Sequence, residues 1–314
     1  MANWGIIAAR FFVFSPVLIL FGSSLFYLYG FRRMPHEALY RRWAWPHLTL
    51  LSASLVALLG TMGWLITETA VMTGTPSDAF QIPALWSVLS ETTFGKVSAL
   101  RLILLAFSVT ALVTLSPSKR LWTLGALSAG TVLVSLLLTG HGTMDEGAAG
   151  LVHRVSDVLH LLAAGVWIGA LIPLAILVIL SHSKRNLIDV EVAYHGLDSF
   201  SGVGLLAVSV LVLTGIINSW FLIGPSYWRE GFTTPYGIAL IIKMGLFIGM
   251  LALAAANRFV LTPRLNESIQ RDKPLAETVS LLRSSVLLET GLAALVIMAV
   301  GVLGTLEPPV SGEP

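Results

Sequence analysis

The feature that most constrains this chain is a set of eight apolar runs, each long enough to cross a bilayer. A spanning helix needs ~20 largely apolar residues. Such runs occupy residues 4–30, 47–72, 97–115, 121–141, 155–180, 202–223, 236–260 and 285–306. Only 11% of the 314 residues are charged, whereas a soluble domain carries about 25%. There is too little polar surface to coat a water-soluble globule. The expected fold is all-α: a polytopic membrane protein, a bundle of eight transmembrane helices forming a single domain over residues 1–314.

The first run is too long for a cleavable signal peptide, has no basic segment ahead of it, and is followed by Arg32 and Arg33. Lysine and arginine then orient the bundle, because cytoplasmic loops are enriched in them. Thirteen of the nineteen lie on one set of alternating connections: Arg32, Arg33, Arg41 and Arg42; Lys119 and Arg120; Lys184 and Arg185; and Arg258, Arg264, Arg271, Lys273 and Arg283. The opposite connections hold Glu68, Asp78, Glu91, Asp145, Glu146, Glu230 and Glu307. Both termini are therefore expected outside. The basic loops carry the small net charge of +2, which gives no indication of nucleic-acid binding. Residues 73–96 are expected to hold a short interfacial element, and the polar stretch 262–283 a surface helix.

The absence of cysteine excludes disulfides, thiolate metal sites and cysteine nucleophiles. Any metal site must draw on His, Met, Asp, Glu or backbone oxygen. The stretch 138–174 is the richest source, with His141, His153 and His160 among the chain's seven histidines, together with Met144, Asp145, Glu146 and Asp157. On a helix His153, Asp157 and His160 fall at i, i+4 and i+7, which is one face, and Trp167 continues along it. His160 is expected about two turns in from the outer end of the fifth helix. His141 closes the fourth. Imidazole and thioether are ligands copper prefers, with thioether favouring Cu(I). His141, His153, Asp157, His160 and Met144 are thus the candidate ligands at the outer mouth of the bundle.

Ionisable groups inside spans cost ~2.5–3.5 kcal/mol each on insertion scales. Arg10, Arg101, Lys243 and Arg258 are expected to snorkel or pair structurally, with Arg101 and Lys243 able to reach Asp157 or Glu68. Glu289 is expected to pair with Arg258 or Arg283, and Asn218 to make an interhelical hydrogen bond. Met62, Met250 and Met298 are expected to be ordinary apolar side chains. His36, His182 and His195 are expected in solvated cytoplasmic loops.

The segment from Asp157 through His160 and Trp167 to Gly169, with Thr139-Gly140-His141 ahead of it, resembles the signature of the copper resistance protein D family. Asn257-Arg258, Glu289 and the segment running from Leu303 to Pro309 resemble that family's C-terminal pattern, as does the segment from Tyr236 to Lys243. The resemblance spans residues 136–309. It implies a bacterial inner-membrane protein of copper homeostasis and copper resistance that moves copper, as Cu(I) or Cu(II), from periplasm to cytoplasm, with both termini periplasmic. It also implies a periplasmic copper-binding donor of the CopC type as a separate partner. His141, Asp157 and His160 are the residues it marks most directly, with His153 and Met144 beside them and Glu68, Arg101, Lys243 and Trp167 in support. No nucleotide-binding loop or phosphorylated-aspartate motif is present, so neither ATP-driven transport nor enzymatic activity is expected. The alternatives are a haem b electron carrier of cytochrome b type, a copper-binding or assembly protein that does not transport, and a permease with histidine proton relays. Membrane lipid is the immediate environment, and a homodimer remains open.

Overall fold

The computed structural model describes residues 4–32, 44–138, 147–184, 187–224, 233–271 and 274–307. Among them the α-helices are α1 (Trp4–Tyr29), α2 (Trp45–Thr73), α3 (Ile82–Glu91), α4 (Thr93–Thr114), α5 (Lys119–Leu137), α6 (Gly147–Lys184), α7 (Leu187–Ile223), α8 (Pro235–Ala256), α9 (Thr262–Gln270) and α10 (Leu275–Leu303). Eight are long and apolar enough to cross a membrane: all but α3 and α9. A 3-10 turn at Asp78–Phe80 precedes α3, and a π-helical turn at Asn257–Leu261 joins α8 to α9. The interfacial element expected in 73–96 is this turn plus α3, and the surface helix expected in 262–283 is α9.

Helix starts carry local signals. Thr92, Ser118 and Thr234 accept hydrogen bonds from Gly95 N, Leu121 N and Gly237 N through their hydroxyls, satisfying backbone donors that a first turn leaves open. Proline occupies the first turns of α2, α3, α8 and α9, where its missing N–H costs nothing.

Successive spanning helices run antiparallel. The starts of α1, α4, α6 and α8 therefore lie at one end of the bundle, the Trp4 end, and their finishes at the other, the Tyr29 end. α1 is the hub, packed against α2, α5, α6 and α10. Its closest approach is to α6. A Cβ on Gly169 would fall 2.6 Å from Gly22 Cα, so small residues are required for the two backbones to meet, as is usual where membrane helices pack tightly. The same contact repairs a proline. Pro173 in α6 has no N–H to offer Gly169 O four residues back, and Ser23 Oγ of α1 donates to that carbonyl instead at 2.8 Å. In hydrocarbon no water is available to do so.

α6 and α7 contain 38 and 37 residues, roughly 57 and 55 Å at 1.5 Å per residue. Both outrun a ~30 Å hydrocarbon core. Hydropathy marks only the part of a helix within lipid, whereas α7 begins fifteen residues before the run that starts at 202 because Val190, Val192, Ala193 and Leu197 are buried against the bundle. His182 and His195 accordingly lie on helices and not in loops. α6 likewise starts at Gly147, so His160 stands thirteen residues, ~20 Å, into its helix, deeper than two turns. α8 is the peripheral element. It packs chiefly on α10, and Ile238, Ile241, Ile242, Met244 and Ile248 stay exposed, as suits a lipid-facing surface.

Candidate functional site

The face of α6 carrying His153, Asp157 and His160 lies against α7, and each residue meets a partner there at matching helical spacing. The His153 ring stacks on Phe221 with centroids 4.7 Å apart and planes 5° from parallel. Asp157 Oδ1 accepts from Asn218 Nδ2 at 2.7 Å. His160 Nδ1 bonds Thr214 Oγ1 at 2.9 Å. The partners sit at 221, 218 and 214, running backwards as the α6 residues run forwards, which is the register of an antiparallel helix pair. Ser156 Oγ adds a bond to Thr214 O at 3.3 Å. Within α6, His153 Nε2 lies 3.6 Å from Asp157 Oδ2, an ion-pair distance beyond hydrogen-bond range.

The His160 bond has a direction. A threonine hydroxyl owns one hydrogen, and Thr214 Oγ1 donates it to Val210 O at 2.6 Å. It therefore accepts from His160, whose Nδ1 carries the proton. Nε2 is then left with its lone pair. A neutral imidazole held at one nitrogen by a neighbouring helix and presenting the other is the usual state of a metal-ligating histidine. Lys243 of α8 lies within electrostatic reach of both Asp157 and His160. His141 and Met144 fall outside the described residues. Among the described residues no cluster of three or more His, Asp or Glu side chains is arranged to hold a metal. On its Nδ1 side His160 meets Thr214, and Gly215 lies beside the ring.

Of the two expected outcomes, snorkelling and structural pairing, Arg101 takes the second. It is fully buried between helices, where Nε donates to Ser135 Oγ at 2.9 Å and Nη2 to Ser135 O at 2.8 Å. Its guanidinium lies 5.3 Å from the centre of the Trp64 ring, and that of Arg10 lies 5.6 Å from the same ring. Glu68 acts electrostatically on Arg10. Two cations, Arg10 of α1 and Arg101 of α4, thus meet one indole of α2.

Glu289 departs from expectation. Its carboxylate is held by neutral donors, not by Arg258 or Arg283: Trp167 Nε1 donates to Oε1 at 2.9 Å and Asn257 Nδ2 to Oε2 at 3.0 Å. Arg258 donates to Ser201 O of α7. Trp167, 1% exposed, is therefore a support for Glu289. The three methionines separate by burial: Met62 and Met298 are 47% and 49% exposed on the apolar exterior, while Met250, 2% exposed, packs in the cluster around Trp167 and Leu171.

Residues 1–151 match the copper resistance protein D-like N-terminal domain, and residues 195–303 match copper resistance protein D. The chain is 33% identical to copper resistance protein D of Pseudomonas syringae pv. tomato over 96% of each chain. It is 27% identical to the inner membrane protein YebZ of Escherichia coli strain K12, over 96% of this chain and 98% of that one. It is also 29% identical to the copper transport protein CutJ of Bacillus subtilis strain 168, over 83% of this chain and 47% of that longer protein. No solved structure matches. The chain is a multi-pass membrane protein of copper handling and belongs to the copper resistance protein D family.

Proposed function

We propose that this protein carries copper across the bacterial inner membrane, from periplasm to cytoplasm, with both termini periplasmic and the Trp4 end facing out. The observation that carries the reading is the His160 imidazole, with Nδ1 committed to Thr214 and the Nε2 lone pair left to a ligand on a stripe that also holds His153 and Asp157. In this reading copper is the substrate. It arrives from a separate periplasmic donor of CopC type, exchanges first onto His141 and Met144, which precede α6 in the sequence, and passes to His160. Asp157, fixed by Asn218, offsets the ion's charge, as a carboxylate close to a metal-bound imidazole does. Basic residues gathered at the Tyr29 end support the orientation. The YebZ relative, named an inner membrane protein, supports the location, and the names of the other two relatives support copper as the cargo.

The test is copper uptake into vesicles containing the purified protein, alongside the copper retained per chain after loading and desalting. Wild type should retain about one copper and accumulate it inside, with both lost in His160→Ala. Bound copper without uptake would replace transport by binding or assembly. Unchanged binding and uptake in His160→Ala would remove His160 from the site.

A further inference from the structure

The polar centre around Glu289 has no part in the copper route described above, yet it has the properties of a working site. Glu289 lies at the midpoint of α10 and is 2% exposed. An intramembrane carboxylate is expensive and usually functional. It faces a cavity of about 160 Å³ between α7 and α8, on the Tyr29 side of Trp167, lined by Leu171, Phe200, Val208 and Leu251 among others. A cavity of that size admits several waters, each needing ~30 Å³ of liquid volume. Glu289 and Arg258 are the ionisable groups lining it; the side chains that α6, α7, α8 and α9 contribute carry no charge. From α1, which also packs on α10, the charged group is Arg10, far off beside Gly304, and the titratable Tyr27 and Tyr29 lie near the helix's other end. On α10 itself the nearest is Arg283.

The second observation is on Asn257. Its Nδ2 serves Glu289, but its Oδ1 is buried without a hydrogen-bond partner among the described residues. An orphaned amide oxygen beside a carboxylate is costly unless the site has a second state that uses it. A glutamic acid provides that state. When Glu289 is ionised, Oε2 accepts from Asn257 Nδ2. When a proton from cavity water adds to Oε2, the Nδ2–H bond is lost, the amide turns over, and Oε2–H donates to Oδ1. Trp167 Nε1 holds Oε1 throughout. Asparagine answers both forms because its two ends are one donor and one acceptor of nearly the same shape. The π-helical turn that begins at Asn257 widens the helix at this residue, and such turns gather at functional sites.

We propose that Glu289 is a reversible proton-binding site, loaded from the cavity between α7 and α8 and served in both protonation states by Asn257, and that its loading accompanies copper passage along α6. The last part rests on the copper-transport reading; the proton site does not. Nothing about the site suits copper itself, because its donors are a carboxylate and an amide oxygen, hard ligands without imidazole or thioether.

Infrared difference spectra of metal-free protein across pH test the site directly. A carboxylic-acid carbonyl band should titrate in wild type and be missing in Glu289→Gln. Spectra that superimpose overturn the proposal. Asn257→Ala should move the midpoint by about one pH unit, and an unmoved midpoint overturns the role of the amide. Vesicles enclosing a pH dye and given copper from outside test the coupling. Wild type should show proton movement with copper uptake, and Glu289→Gln should lose it, with uptake slowed about tenfold or uncoupled. Equal proton movement in the variant overturns the coupling and leaves transport standing. No copper uptake by wild type overturns the transport reading and the coupling with it, while the infrared result still decides the proton site.

Discussion

Two polar centres lie along the same face of α6, separated by the ~10 Å between His160 and Trp167, and they are built from opposite chemistry. The one nearer the Trp4 end is made of imidazoles and a carboxylate, tied to α7 by Thr214, Asn218 and Phe221. The one deeper in is a single carboxylate held by indole and amide N–H groups. The first leaves a nitrogen lone pair, which suits a soft or borderline cation. The second leaves only oxygen, which suits a proton. A helix that presents both in sequence separates two ions by ligand type and not by size.

Substitutions can break this division. The largest effect is expected from His160→Ala, which should take retained copper from about one per chain to near zero, while Glu289→Gln retains it. Loss of copper in both would mean one site and not two. Next is Thr214→Val, which keeps the side-chain shape and removes the acceptor for Nδ1–H. Partners of this kind are worth about 10–100-fold in metal affinity, so copper Kd should rise within that range and Thr214→Ser should restore it. Asn218→Ala should weaken copper about tenfold at most, through Asp157 alone, as measured by competition with a chelator. Trp167→Phe should leave copper Kd within twofold and cost about 1–3 kcal/mol of stability by orphaning a buried carboxylate oxygen, read from denaturation in detergent. Smallest of all, Met62→Leu and Met298→Leu should change neither quantity, because both side chains face outward.

Much of this architecture is legible in the sequence because lipid simplifies the problem. Apolar runs must be helices, so hydropathy finds all eight spans. The 153–157–160 spacing places three polar groups on one face before any neighbour is known, and Asn218 is recognisable as an interhelical donor. The rest depends on which helix a face meets. Nothing local to α6 says that Thr214 and Phe221 will stand opposite, since the register of two antiparallel helices is set by packing along their whole length. Glu289 was expected to find an arginine because charge attraction is the simplest pairing rule. A buried carboxylate is equally well satisfied by neutral N–H donors, which a reading by charge overlooks. For Arg101 the sequence allows either reach to the interface or structural pairing, and the neighbours that decide for pairing, Ser135 and Trp64, stand on other helices. The ends of α6 and α7 ran on past lipid for the same reason: burial continued where hydropathy did not.

The most direct test of the central claim is the copper K-edge X-ray absorption spectrum of the loaded protein, wild type against His160→Gln. The account predicts imidazole scattering around copper in wild type and a spectrum with fewer imidazole ligands, or no retained copper, in the variant. Identical imidazole scattering at equal occupancy would contradict it, and the imidazole of His160 would then serve only to join α6 to α7.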